Sequence, residues 1–181
     1  GILLMFDEVQ TGLARTGAWF AHQHYGIEPD AISIAKALGN GMPIGAIWAR
    51  NDVAASFKPG DHATTFGGQP LAASAALATL EIMKSIDAPS LANTVGDALR
   101  DKLMAINGVV STRGRGMLIA AEVDPAVLDG RTAGEVANAC LHAGLILNGV
   151  TPTALRIAPP LTITFAEIEQ GIALLDRVLN R

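Results

Sequence analysis

Two ionisable residues stand directly after apolar runs. Asp7 follows the run Ile2 to Phe6, and Lys36 follows the run Asp30 to Ala35, 29 positions later. Continuous runs of that kind are the pattern of parallel strands buried on both faces. In open α/β sheets, ligands bind beyond the carboxyl ends of the strands. A carboxylate and an amine at two such ends can converge on one crevice. A partly desolvated lysine attacks carbonyl carbon and carries protons. A buried carboxylate holds a proton on a ring nitrogen. A cofactor that combines an aldehyde with a pyridine nitrogen, as pyridoxal 5′-phosphate does, uses that pair. Each residue alone has an ordinary reading as well. An Asp after a strand caps or turns the chain, and a Lys there is usually a solvated surface residue.

The elements that must position these residues follow from patterning. Ile2 to Phe6, Asp30 to Ala35 and Pro43 to Ala49 read as strands, with a short helix over Ala18 to Tyr25. Pro70 at a first turn, followed by the Ala-rich Leu71 to Ser85, predicts a helix. Asp87 to Ser90 breaks it, and Ser90 is placed to cap the next helix, on which Leu91, Val95, Leu99 and Leu103 recur at four-residue spacing. Val109 to Val123 reads as two strands around Gly114-Arg-Gly116. Thr132 with Glu135, and Thr164 with Glu167, form capping boxes at two further helices. Leu145 to Leu147 and Leu155 to Ala158 read as short strands. Strands alternating with helices predict a mainly parallel α/β sheet first, then a smaller α+β unit. The division falls within residues 84–90 and is drawn as 1–86 and 87–181.

The totals narrow the function classes. Among 181 residues, half are hydrophobic and 17% charged, enough to bury a real core. The net charge of -4 leaves no basic footprint for nucleic acid, and suits a soluble cytosolic protein. A single cysteine, Cys140, excludes an internal disulfide and a cysteine metal cluster. His22 and His24 are two apart, which splays them on a helix, and no acid or cysteine cluster supports a metal there. Gly39, Gly41 and Gly45 have the wrong spacing for a dinucleotide fingerprint and lead into a strand. They let the backbone turn tightly beside Lys36. The opening run, without an initiator Met, is too short to span a membrane and reads as a strand entered midway, so a fragment of a longer chain is expected.

Longer wording is more specific than any pair of residues. Leu4-Met-Phe-Asp7-Glu-Val-Gln10-Thr-Gly-Leu-Ala-Arg15-Thr-Gly17, then Pro29-Asp-Ala-Ile-Ser-Ile-Ala-Lys36-Ala-Leu-Gly-Asn-Gly-Met-Pro-Ile-Gly45, then Thr64-Thr65-Phe-Gly-Gly-Gln-Pro70, and finally Leu155-Arg156-Ile-Ala-Pro159-Pro160-Leu161, resemble the class III (ornithine-type) aminotransferases. The resemblance runs in order through the chain. Within the class, Ala21 to Asp30 is most similar to the acetylornithine branch.

The resemblance implies a fold-type I pyridoxal-phosphate transferase: the C-terminal part of its large domain followed by its small C-terminal domain. It implies that Lys36 bonds the cofactor aldehyde and that Asp7 partners the ring nitrogen. Val9 would lie on the ring face, and Gln10 would reach its phenolic oxygen. Glu8 falls within the same cofactor-binding stretch. Thr65 would reach the phosphate of a neighbouring subunit, Thr64 the substrate side, and Arg156 a substrate carboxylate. The implied reaction is transfer of the terminal amino group of N2-acetylornithine to 2-oxoglutarate in a cytoplasmic homodimer, within arginine biosynthesis. Ornithine, succinylornithine and 4-aminobutyrate are alternative donors, and an inactive truncated form is a further alternative. Family members are roughly twice this length. Their Gly-Ser/Thr phosphate loop, ring-stacking aromatic, second substrate arginine and gating glutamate have no counterpart here. Gln69 also stands where the family commonly has Asn.

Overall fold

The computed structural model describes residues 1–180. Its elements are, in order, β1 (Met5–Asp7), β2 (Ala31–Ile34), β3 (Ala46–Ala49), α1 (Asn51–Ala54), α2 (Pro70–Ser85), α3 (Ala88–Met104), β4 (Val109–Arg115), β5 (Leu118–Val123), α4 (Pro125–Leu128), α5 (Ala133–His142), β6 (Asn148–Gly149), β7 (Ala154–Ile157) and α6 (Phe165–Leu179). The chain divides into two units, Gly1–Pro89 and the residues from Ser90 onward.

In the first unit, the order β1-β2-β3 makes a three-stranded sheet. β1 runs parallel to β2, with Met5 opposite Ala31, Phe6 opposite Ile32 and Asp7 opposite Ser33. β3 returns antiparallel to β2. The connection over residues 35–45 explains that return. It is shorter than the dozen or more residues a parallel crossover needs, and it holds only a 3-10 turn at Lys36–Leu38. The third strand starts at Ala46 rather than Pro43, because proline cannot donate to a ladder. The expected helix over Ala18 to Tyr25 is a 3-10 turn confined to Ala21–Tyr25.

Asp30 clamps the start of β2 to both neighbours. Its Oδ2 accepts from the Leu4 amide at 2.7 Å, and its Oδ1 pairs with Arg50 Nη1 at 2.5 Å. The apolar runs are less covered than their composition suggests. Ala31 and Ile32 of the central strand are buried, whereas Ile2, Met5, Ile47 and Trp48 are exposed. β1 and β3 are edges of a three-stranded sheet, and nothing in this unit covers those side chains. α2 buries Ala72, Ala76 and Met83 on one face and packs against the Lys36–Leu38 turn. Asp87, at φ 44°, ends it. The next helix begins at Ala88, with Pro89 in its first turn, so Ser90 lies inside the helix instead of capping it.

The second unit is an antiparallel sheet, β4-β5-β7-β6, with helices. β5 alternates, burying Ile119, Ala121 and Val123. They meet Val95, Leu99 and Leu103 of α3, Val136 and Cys140 of α5, and Ile168, Leu175 and Leu179 of α6 in one core. The β4–β5 turn is Gly116-Met117, two residues beyond the expected start. Arg115 stays in the ladder opposite Leu118, and Met117 is fully buried. Both capping boxes form: Thr132 Oγ1 accepts from the Glu135 amide and Thr164 Oγ1 from the Glu167 amide, each at 3.2 Å. Leu145 to Leu147 is not a strand; the ladder forms one step later, at Asn148–Gly149. A Cβ on Gly149 would lie 2.4 Å from the Gly134 nitrogen. Only glycine lets this backbone lie against the start of α5.

Candidate active site

The parallel register of β1 and β2 brings the chemistry together. Asp7 is the last residue of β1 and sits opposite Ser33. Ser33 Oγ donates to Asp7 Oδ1 at 3.3 Å, so both side chains share one face of the sheet. The Val9 amide donates to the same Oδ1 at 2.9 Å. Asp7 Oδ2 has no hydrogen-bond partner among the described residues. Lys36 lies three residues beyond Ser33, at the same carboxyl edge. Neighbouring strands stand about 4.8 Å apart, and three residues span at most about 10 Å. Asp7 and Lys36 therefore lie at one edge of the sheet, with backbones no more than about 15 Å apart.

Backbone strain marks the same place. Lys36 has φ 47°, a left-handed conformation that costs a non-glycine residue about 1–3 kcal/mol and persists only where surroundings impose it. Those surroundings are visible: Leu38 and Gly39 are buried, and α2 packs on the turn. A Cβ on Gly39 would sit 2.2 Å from the Met42 carbonyl oxygen, so the chain can fold back here only through glycine. The lysine amine has no partner among the described residues.

Two expectations need correction. A buried carboxylate and a desolvated lysine were expected, yet both Asp7 and Lys36 are exposed. No element of this unit covers that edge of the sheet. Glu8 was expected among the cofactor contacts, but its side chain turns into the loop that follows β1. It is only 3% exposed, and both carboxylate oxygens are engaged there. Alternation along the chain sends it away from Asp7.

The remaining candidates fall in three places. Val9 and Gln10 follow directly in that loop, partly buried, and Gln10 has no side-chain partner among the described residues. Thr64 and Thr65 are exposed, in the segment without helix or strand that precedes α2. Arg156 lies on β7 in the second unit. Its Nη2 donates to Asn148 Oδ1 at 3.1 Å, and it has no carboxylate partner among the described residues. Sequence reasoning passed over Ser33 and Asn148. Ser33 was detectable as the single polar residue inside an apolar strand, whereas Asn148 depends on the β6–β7 register.

A cavity of about 600 Å³ lies on the other face of the sheet, lined by Phe20, His22, Ile32, Ile34, Trp48 and Arg50 among others. Ile32 and Ile34 flank Ser33 in sequence and so point away from it. The cavity and the Asp7–Lys36 edge are separate features. Among the described residues, no group of three or more His, Cys, Asp or Glu side chains could hold a metal, and no helix is long and apolar enough to cross a membrane.

Comparison with known proteins points to one family. The sequence matches the family Aminotransferase class-III over residues 1–179. It is 42% identical to the acetylornithine aminotransferase of Corynebacterium efficiens, over 99% of this chain and 43% of that protein. Its fold matches the crystal structure of acetylornithine aminotransferase from Elizabethkingia anophelis with a TM-score of 0.86 and 32% identity, over 98% of this chain and 48% of that one. It matches the ornithine aminotransferase of Toxoplasma gondii ME49 equally well, with a TM-score of 0.86 and 34% identity, over 98% and 43%. The chain thus spans somewhat under half the length of these relatives.

Proposed function

The chain belongs to the class III aminotransferases, and on that premise we propose that the complete protein moves the terminal amino group of N2-acetylornithine to 2-oxoglutarate. The products are N-acetylglutamate semialdehyde and glutamate, and the cofactor is pyridoxal 5′-phosphate. The observation that carries this reading is the pairing of Asp7 with Ser33, which sets one carboxylate and the Lys36 amine at the same edge of two parallel strands.

The residues present suit that cofactor. One Asp7 oxygen is anchored by Ser33 and the Val9 amide, and the other is open to a ring nitrogen. The Lys36 amine has no hydrogen-bond or carboxylate partner among the described residues. Bound pyridoxal phosphate supplies the electron sink that lets an amino group leave one carbon skeleton for another. Asp7 keeps the proton on the ring nitrogen. With the cofactor bound, Lys36 would take a proton from the substrate carbon and give it back, as base and then acid. Val9 supports the ring face, and Gln10 donates to the phenolic oxygen. Thr64 lines the substrate side, and Thr65 binds the phosphate held by a second copy, in a cytoplasmic homodimer. Arg156 grips a substrate carboxylate through its two-pronged guanidinium.

The chain spans 43% of the length of the Corynebacterium efficiens protein, so this activity is proposed of the complete protein. Adding cofactor to the complete protein should produce a visible absorbance band that Lys36→Ala abolishes. A band that survives that substitution overturns the assignment of Lys36. Ornithine as donor is the second reading, favoured by the fold match to an ornithine aminotransferase. Steady-state rates with N2-acetylornithine, ornithine, succinylornithine and 4-aminobutyrate separate the two. A kcat/KM highest for ornithine replaces the first reading with the second.

A further inference from the structure

Both carboxylate oxygens of Glu8 are engaged. Its Oε2 accepts from Thr11 Oγ1 at 2.5 Å and from the Ala21 amide at 3.1 Å. Its Oε1 accepts from the His22 amide at 3.0 Å and lies 3.3 Å from His22 Nδ1. Its backbone is fixed as well. The Glu8 amide donates to the Ser33 carbonyl, and the Glu8 carbonyl accepts from Gly12, both at 2.9 Å. One residue thus ties β1 to β2 and closes the loop of residues 8–22 at both ends.

The loop is built around that knot. Leu13 and Ala14 are buried with φ 55° and 64°, conformations that cost non-glycine residues about 1–3 kcal/mol each and persist only where the surroundings impose them. A Cβ on Gly12 would lie 2.7 Å from the Glu8 carbonyl oxygen, so the chain coils directly against it. The His22 ring stacks near Phe6, with centroids 6.1 Å apart, and near Phe20, at 5.7 Å. A carboxylate buried with four donors directed at it is stable, whereas a buried donor left without its acceptor costs about 1–3 kcal/mol.

We propose that Glu8 is a positioning residue: it touches no cofactor atom, and by holding the 8–22 loop it fixes the rotamer of Asp7 and the approach of Val9 and Gln10. The coupling is short. The Val9 amide donates to Asp7 Oδ1, and Val9 follows Glu8 directly, so any shift of Glu8 loosens the anchored oxygen of Asp7. This role rests on the cofactor assignment above, and its test separates the two.

In the complete protein, Glu8→Gln keeps the shape but replaces one accepting oxygen with an NH2 group. Amide hydrogen exchange is followed in the cofactor-free protein, and the cofactor Kd is read from the visible band. Exchange should speed up at Val9 as well as at Ala21 and His22, and Kd should rise about tenfold, as for other residues that orient a ligating group. That corresponds to about 1.4 kcal/mol. Faster exchange at Ala21 and His22 alone, with Val9 and Kd unchanged, would reduce Glu8 to a loop staple and overturn the proposal. If Glu8→Gln does not fold, Thr11→Val removes a single donor and should produce the same pattern at about a third of the size, and no change at Val9 overturns the proposal. A wild-type protein that shows no Lys36-dependent band sinks the cofactor assignment instead, while exchange at Val9 still decides whether Glu8 holds Asp7.

Discussion

Gly149→Ala tests whether β6 is positioned by direct backbone contact with α5. A Cβ at Gly149 would meet the Gly134 nitrogen at 2.4 Å, and the Ala133 carbonyl carbon and Gly134 Cα at 2.6 Å, where ordinary contact begins at 3.4 Å. All three are backbone atoms, so no side chain can swing aside. Either β6 or the start of α5 must move by about 1 Å, and overpacking of this kind costs about 1–3 kcal/mol. For a chain of this length each kcal/mol lowers Tm by about 2–4 °C, so the midpoint should fall by about 2–12 °C. Gly171→Ala is the control. It lies inside α6, its Cβ would make an ordinary 3.6 Å contact with Leu145, and the change should stabilise by up to about 1 kcal/mol. The movement of β6 also carries Asn148, the hydrogen-bond partner of Arg156. In the complete protein Gly149→Ala should therefore raise KM for the carboxylate substrate, and Gly171→Ala should not. Thermal unfolding and steady-state kinetics of the two variants provide the measurements. Two midpoints moving in the same direction, or Gly149→Ala neutral to within about 0.5 kcal/mol, would refute the argument.

Other outcomes follow from single features. Thr164→Ala removes the cap of α6 and should cost about 1 kcal/mol in urea unfolding, with the m-value unchanged. Burial alone raises the Glu8 carboxyl, but bonds from Thr11, His22 and Ala21 overcome it and hold the pKa below its ordinary 4.5. A depressed acid contributes stability above its unfolded pKa and loses it as the pH falls through the folded value. Protease resistance of residues 8–22 should thus hold from neutrality to about pH 4.5, weaken progressively below it and be lost once the pH falls through the lower folded pKa, and Glu8→Gln should lose that dependence. Burial pushes the Cys140 thiol up, and the side chain lies fully inside the second core. It should react with a thiol reagent only on unfolding, and a rate in the folded protein matching a free thiol would contradict that packing.

Local and periodic features were legible in the sequence. The capping boxes at Thr132 and Thr164, the helical spacing of Val95, Leu99 and Leu103, and Pro70 at the start of α2 depend on neighbours within one helical turn or on one face, and linear order contains that information. The positions of Asp7 and Lys36 after apolar runs were equally readable, as was the family wording around them. Tertiary structure decided everything that requires two distant segments to meet. The register that sets Asp7 against Ser33, the return of β3 antiparallel, and the ladder at Asn148–Gly149 in place of Leu145 to Leu147 all depend on backbone pairing across the chain. Burial was decided there too: an apolar run specifies a surface that favours leaving water, but only the elements packed on it determine whether it does. Ile2 and Trp48 remain exposed for that reason, while Glu8, a charged residue, is buried because Thr11 and the distant turn at Ala21 and His22 converge on it.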